Sequence, residues 1–524
     1  MRDSIPARLA VTALACLGLA SLPATARQPD GGGALAPQDA ADHVSEALDR
    51  RLAGEAAANI ARLRAEGRLP AAQAGVIPKV SGLQWPLSRG QTPGTDWHGI
   101  SNFVDLNPTI GQLRDYTCGT RTYDTAGGYN HRGVDYFIWP FSWMLLDQGA
   151  VEVRAVAPGT LVGRADGNND RSCSMNAPDT PNYVTVRHAD GTIARYLHMK
   201  NGSVTTRPIG SAIAVGEVLG RVGSSGVSTG PHLHLELRAN ENANAAVIEP
   251  HNGACNTTPS AWAEQRPYRQ PAINRLSTHN APPVQPSCSG TTMPGTDVPN
   301  FRDQFNPGEK VIFLAAYRDQ AYGELSEFRV LRPDNSVFTS WNLDTAAVPG
   351  AQPVYNASYW YWEYTLPGNA PHGLWQWEAR YQGVTTRHYF RVGNSTQAIP
   401  DMKGLIGAWF EPATSGQGFE LHWLNDEQVL LFFYGHHDDG SNFFLLAQRW
   451  GRFDFNQEVE FELYQTTGGR WTDLDPAQIQ RPGWGTARIT FVDCETAVAE
   501  LDGIDGSQVL NLERLGRTVG LSCD

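Results

Sequence analysis

The sequence predicts a mainly β, multidomain chain: a β-rich domain, whose sheet a resemblance given below implies to be antiparallel, then a β-sandwich and a small C-terminal β domain, with a short N-terminal helix ahead of them. Length is the first reason, since 524 residues exceed what one hydrophobic core serves. Composition is the second. The chain carries 53 Gly and 34 Pro, and 10% of its residues are aromatic, which suits short strands joined by turns better than long helices. Third, 41% hydrophobic residues and 15 Trp are ample material for packed cores and exclude disorder along the whole length. A formal net charge of −13, from 41 basic and 54 acidic side chains, argues against a nucleic-acid partner. Beyond the N-terminus no apolar run approaches the ~20 residues that span a membrane.

The elements follow in order. Arg2 and Arg8 precede the apolar run Leu9 to Leu22, and Ala24-Thr25-Ala26 supplies a small-x-small cleavage pattern. Residues 1–26 therefore read as an export signal cleaved after Ala26, which places the mature chain in the periplasm or outside the cell. Cys16 lies in a weak lipoprotein-like box, Leu14-Ala15-Cys16, but mostly apolar residues still follow it, as in an ordinary signal. The other cysteines are Cys118, Cys173, Cys255, Cys288, Cys494 and Cys523. An even number in an exported chain reads as disulfides, and proximity pairs Cys494 with Cys523, Cys118 with Cys173 and Cys255 with Cys288. No CxxC occurs, so a thiolate zinc site is not expected.

Residues 27–94 are read as a leader and an amphipathic helix. The stretch 27–39 is Gly, Ala, Pro and Gln, a flexible composition. From Ala40 to Glu66, Val44, Leu48, Leu52, Ile60 and Leu63 recur at helical spacing, so this stripe faces a core or a partner. It is either a propeptide helix lying across an active site or a structural appendage; periodicity does not separate the two. Residues 95–270 form the next domain. Residues 271–299 have linker composition. Residues 300–395 show short aromatic runs such as Trp360-Tyr361-Trp362 and Leu374-Trp375-Gln376-Trp377, a β-sandwich resembling an immunoglobulin-like module, its aromatics read as core rather than as a sugar-binding strip. Residues 401–524 are a last β unit, whose opening resembles a small C-terminal module of exported bacterial proteins. In it His436-His437-Asp438-Asp439-Gly440 separates two apolar runs and reads as a solvated hairpin turn rather than a metal cluster.

Chemistry concentrates between Asn130 and Arg238. The pieces are His131-Arg132-Gly133-Val134-Asp135, Tyr196-Leu197-His198-Met199 and Ser228-Thr229-Gly230-Pro231-His232-Leu233-His234-Leu235-Glu236. Leu233, Leu235 and Leu237 alternate as on a strand with one buried face, so His232 and His234 share the opposite face, roughly 6–7 Å apart. A catalytic zinc takes three protein ligands and keeps one position open. His131, Asp135 and His234 form such a set, and His198 and His232 then flank the reacting water as proton acceptor and as oxyanion or leaving-group partner.

The HxGxD, YxHM and STGPHLHLE pieces resemble the lysostaphin-type (LytM-like, including beta-lytic) zinc metallopeptidases over residues of about 95–250. The resemblance implies one zinc ion per chain held by His131, Asp135 and His234, with His198 and His232 catalytic. It further implies a groove over an antiparallel sheet and a secreted endopeptidase acting on peptidoglycan cross-bridges or stem peptides. Two alternatives share the motifs: a secreted peptidase acting on glycine-rich proteins, and a non-catalytic activator or wall-binding module. Retention of all five residues argues against the second. Extra residues after Asp135, including Trp139-Pro140-Phe141-Ser142-Trp143, depart from shorter relatives; these aromatics either rim the groove or cap the sheet. His188, beside a hairpin turn, is expected to be structural.

Overall fold

The computed structural model describes residues 25–34, 42–69, 81–88, 97–286 except 126, 295–395 and, with short interruptions, 402–518. Most of the expected export signal, including Cys16, lies outside these residues. Thr25 and Ala26 pair in parallel with Trp341 and Asn342.

The first β unit is a seven-stranded sheet in the order Ala212–Ile213, Gly159–Ala165, Tyr183–Arg187, Ile193–Leu197, His232–Arg238, Val134–Ile138, His98–Asn102. Every pairing is antiparallel. Side-chain alternation divides its residues between two faces. On one face Leu233, Leu235 and Leu237 join Val134, Tyr136, Ala194 and Tyr196 in a core shared with the small sheet of Val218–Arg221, Glu152–Arg154 and Leu87–Ser88. The other face carries His232, His234, Glu236 and Arg238, and it too is buried.

A helix covers that second face. Glu46–Ala65 begins at Ser45, whose hydroxyl accepts the Leu48 N–H, satisfying an otherwise orphaned donor. Its stripe lands as the periodicity requires: Val44, Leu48 and Leu52 meet Tyr129, Tyr183 and Leu197, while Ile60 and Leu63 meet Val162 and Ile193. Each such side chain contributes roughly 1.5–3 kcal/mol on full burial.

The sandwich faces Ala272–His279, Lys310–Ala321, Val354–Thr365 and Gly31–Ala34 against a second sheet that includes Leu325–Leu331, Val337–Asp344, Gly373–Tyr381 and Val384–Val392. Trp341, Trp362, Trp375 and Trp377 fill the space between, so they are core and not a sugar-binding strip. Two expectations change here. Residues 31–34 are not a flexible leader but a strand paired with Ser358–Tyr361. Glycine permits it, because a Cβ at Gly31 would lie 2.2 Å from Tyr361 Oη and one at Gly32 2.2 Å from Tyr359 O. The expected linker also opens with a strand, since Ala272–His279 pairs with residues 312–318 and buries Ile273 and Leu276 in the sandwich core.

The added aromatics after Asp135 cap rather than rim. Trp139 and Phe141 are buried against Leu314, Ala316 and Ala357 of the sandwich. The last unit, Gly407–Phe410 through Gly506–Arg514, closes into an antiparallel barrel filled by Trp409, Phe419, Phe433 and Phe461. His436 pairs with Asn442 at the end of a hairpin, and His437 bonds the Asp505 carboxylate, as a polar turn should; Asp438 lies outside the described residues.

One disulfide joins Cys118 to Cys255, which corrects the proximity pairings of Cys118 with Cys173 and of Cys255 with Cys288. The chain folds back to make it: the Cys255 N–H donates to Tyr116 O at 2.8 Å. Cys173 and Cys494 are disulfide-bonded as well, while Cys288 and Cys523 lie outside the described residues.

Candidate metal centre

Adjacent strands deliver the candidate residues to one place. Asp135 on Val134–Ile138 stands directly opposite His234 on His232–Arg238. On the other flank His234 faces Leu197, and His198 follows at the strand's end with φ 64°, a left-handed backbone that a non-glycine residue adopts rarely and often at functional sites. His131 sits in the turn leading into Asp135. Gly133 between them has a steric reason: a Cβ there would lie 2.5 Å from His234 Nε2 and 2.8 Å from Leu235 O.

The five expected residues are thus brought together, and all are 0–1% exposed. His131 Nε2 lies 3.0 Å from Asp135 Oδ2, and His234 Nδ1 lies 2.9 Å from Asp135 Oδ1. His131 donates its Nδ1–H to Phe103 O at 2.8 Å, so the Nε2 lone pair is turned to the cluster, where it has no hydrogen-bond partner. Asn102 Nδ2 donates to Asp135 Oδ2 at 3.0 Å, fixing the carboxylate from behind. Oriented imidazoles and a braced carboxylate are donors of the kind that zinc takes. The chain's donors fit that ion.

His198 and His232 are held differently. Each donates Nδ1–H to a backbone carbonyl, His198 to Ser225 O at 2.6 Å and His232 to Gly230 O at 2.8 Å. His198 Nε2 is in turn hydrogen-bonded to the Asp42 carboxylate at 2.8 Å. His232 Nε2 is 3.8 Å from Asp135 Oδ1 and has no hydrogen-bond partner, and the two rings are 4.7 Å apart. Burial, with the neighbouring His198 ring, lowers His232 to about 4, leaving it neutral at neutral pH.

The charges around His131 and His234 act the other way. Burial disfavours charge on both rings, yet Asp135 and Asp42 outweigh it and raise both above the ordinary histidine value. Burial likewise works to raise the Asp135 carboxyl, but the His131 ring and hydrogen bonds from His131 and His234 hold it well below the carboxylate range. The pocket is built to hold positive charge.

Sequence reasoning missed Asp42. Its carboxylate lies within 4.8 Å of the ligand atoms of His131, Asp135 and His234. An isolated aspartate ahead of a helix carries no local signal for this. Tyr123, also unmarked by any motif, stacks on His131 at 4.6 Å and donates its hydroxyl to Asp42 O at 3.0 Å. His188 is structural as expected, donating Nδ1–H to Pro158 O at 2.9 Å.

Residues 130–246 match the model of Peptidase family M23. The chain is similar to the peptidoglycan DD-endopeptidase ShyC of Vibrio cholerae serotype O1, 41% identical over 111 residues, which is 21% of this chain and 20% of that protein. It is also similar to the DD-carboxypeptidase/endopeptidase Mpg of Neisseria meningitidis serogroup B, 38% identical over 112 residues, 21% of this chain and 20% of that protein. The chain spans about a fifth of the length of these relatives. A solved catalytic-domain variant of the prophage-encoded M23 protein EnpA from Enterococcus faecalis is 24% identical, covers 29% of this chain and 88% of its own, and has a TM-score of 0.19. Residues 130–246, which carry His131, Asp135, His198, His232 and His234, form a domain of peptidase family M23.

Proposed function

We propose that the chain is an exported zinc metalloendopeptidase that hydrolyses amide bonds in peptidoglycan cross-bridges or stem peptides. The observation that carries this reading is one buried constellation. Ring nitrogens of His131 and His234 and the Asp135 carboxylate converge beside two histidines, His198 and His232, whose rings are oriented by backbone carbonyls at Nδ1. The substrate class is supported by the relatives named as peptidoglycan endopeptidases.

His131, Asp135 and His234 hold the zinc. Bound there, zinc supplies Lewis acidity that activates water and polarises the scissile carbonyl. The chain's own residues manage the protons. Nε2 of His232 and Nε2 of His198 are the positions at which a proton is taken from the attacking water and returned to the leaving amine. The Nδ1 tethers orient both rings, and the one from His232 to Gly230 O leaves its Nε2 able to accept a proton. Asn102 and Phe103 O hold the ligands in place, so the geometry exists before substrate arrives.

Purified peptidoglycan and a glycine-rich protein, digested side by side, test the reading. The expected result is soluble wall peptides with new amino termini, abolished by a chelator and restored by zinc. Cleavage of the protein with peptidoglycan left intact would overturn the substrate class; turnover unaffected by metal removal would overturn the mechanism.

A further inference from the structure

Two neighbouring residues brace the proposed ligands from one edge of the sheet. Asn102 holds Asp135 through its side chain, and Phe103 holds His131 through its carbonyl. Asn102 ends the strand His98–Asn102, the outermost of the seven, and Phe103 follows it. An outermost strand has no further strand to fix its free side. Arg121 does much of that fixing here. Its carbonyl accepts the Phe103 N–H at 2.9 Å, and its guanidinium donates to Ile100 O and, at 2.8 Å, to Tyr268 O. The same guanidinium lies 5.6 Å over the Phe103 ring, within cation–π range.

The charge that balances Arg121 comes from the sandwich. Asp319, on the strand Lys310–Ala321, places its Oδ1 2.5 Å from Arg121 Nη2, and the two side chains are 5% and 8% exposed. Its Oδ2 accepts the Gln270 N–H at 2.7 Å, so both carboxylate oxygens are used. Asp319 has φ 50°, a backbone that Asp and Asn tolerate better than most side chains. More of the sandwich reaches the same strand. Asn274 Nδ2 donates to His98 O at 2.9 Å, and Asn356 Nδ2 donates to Ser101 O at 3.4 Å. The free side of this strand is thus held by Arg121 and by side chains of another domain.

We infer that Asp319 is a positioning residue for the metal centre: acting through Arg121, the sandwich sets the two supports of His131 and Asp135, and the catalytic unit extends into the second domain. This inference rests on the zinc reading above. Neither Arg121 nor Asp319 lies within residues 130–246, so the family match says nothing of this pair. The physical reason is burial. A guanidinium so far removed from water needs a counter-charge beside it. Without Asp319, Arg121 turns toward solvent or toward another acceptor. Either movement releases Ile100 O and shifts the Phe103 carbonyl that holds His131 Nδ1. Disturbing supports of this kind weakens metal binding by about 10–100-fold.

The test uses the full chain and compares wild type with Asp319→Asn, Arg121→Lys, the double variant and Leu314→Ala. Asn at 319 keeps the shape and suits the left-handed backbone while removing the charge. Lys at 121 keeps the charge but lacks the planar fork that serves several acceptors at once. Leu314 packs with Trp139 and Phe141 at the same interface and reports loosening of the domains alone. Zinc affinity is read by competition with a chelating dye, and the visible spectrum of the Co(II)-loaded protein reports the ligand geometry. Each of Asp319→Asn and Arg121→Lys should bind zinc about 10–100-fold more weakly and shift the Co(II) spectrum. The double variant should be no weaker than the weaker single one, and Leu314→Ala should lose thermal stability while keeping wild-type affinity and spectrum. Wild-type affinity with a superimposable Co(II) spectrum in Asp319→Asn would overturn the inference and leave the metal centre standing. Losses that multiply in the double variant, or an equal loss in Leu314→Ala, would overturn it too. A wild-type chain that takes up neither metal would overturn the zinc reading itself, and the inference with it.

Discussion

Removing the Asp49 carboxylate is expected to loosen the helix from the sheet by a calculable amount. Asp49 Oδ1 lies 2.6 Å from Arg195 Nη1, and its Oδ2 lies 2.8 Å from Arg132 Nη1 and 3.1 Å from Arg238 Nη2. Its side chain is 9% exposed and those of Arg195 and Arg238 are 3% and 5% exposed, so solvent does little to replace what these two lose. Deleting one partner of a buried ion pair costs ~3–5 kcal/mol. Glu236 also holds Arg195 at 2.8 Å and Arg238 at 2.5 Å, and Arg132 is partly solvated, which places Asp49→Ala at about 3 kcal/mol, the lower end of that range. At ~1.4 kcal/mol per tenfold change, the undocked helix becomes roughly 100 times more populated. Hydrogen exchange read by mass spectrometry on peptides from Glu46–Ala65 should show protection falling by about that factor, with the strand His232–Arg238 unchanged. Helix protection equal to wild type would refute the claim that these guanidinium contacts hold the helix down.

On the proposed ligand set of His131, Asp135 and His234, His232→Ala should keep its metal and should lose ~10²–10⁴ in turnover, the usual worth of a positioned proton-transfer group; metal loss in this variant would contradict its role. Gly133→Ala should weaken metal binding by about 10–100-fold, as expected when a ligand's support is disturbed, because the new methyl would press on the His234 ring; isothermal titration with zinc checks this, and unchanged affinity would contradict the packing argument. Asp297 accepts the Trp143 and Met144 N–H groups, and burial raises its carboxyl to about 6. A folded-state value above the unfolded one means that stability falls as pH rises from about 4 through about 6. Asp297→Asn, which retains an acceptor oxygen, should therefore gain up to about 2–3 kcal/mol over wild type near pH 7.5 and nothing near pH 4. Denaturation midpoints at both pH values give the comparison, and a gain independent of pH would count against it.

That His232 and His234 share one face was legible in sequence because strand alternation is a local property, whereas His131, Asp135 and His198 were marked by their short motifs. Leu233 and Leu235 mark one face, so His232 and His234 must share the other; that Asp135 stands opposite His234 is a matter of register, which the structure supplies. The helix was legible for the same reason, its stripe repeating within a few residues. What escaped were contacts between distant segments. Asp42 meets His234 across the fold, Cys118 meets Cys255 only after the chain returns past Tyr116, and the glycines at 31–33 look flexible until Tyr359 and Tyr361 stand beside them. Composition describes a segment in isolation; pairing depends on the surface it finds.

Zinc content per chain, measured together with peptide release from peptidoglycan, tests the central claim most directly. About one zinc per wild-type chain is expected and, in His131→Ala and Asp135→Ala, loss of both zinc and hydrolysis. Undiminished hydrolysis by a zinc-free His131→Ala protein would contradict it.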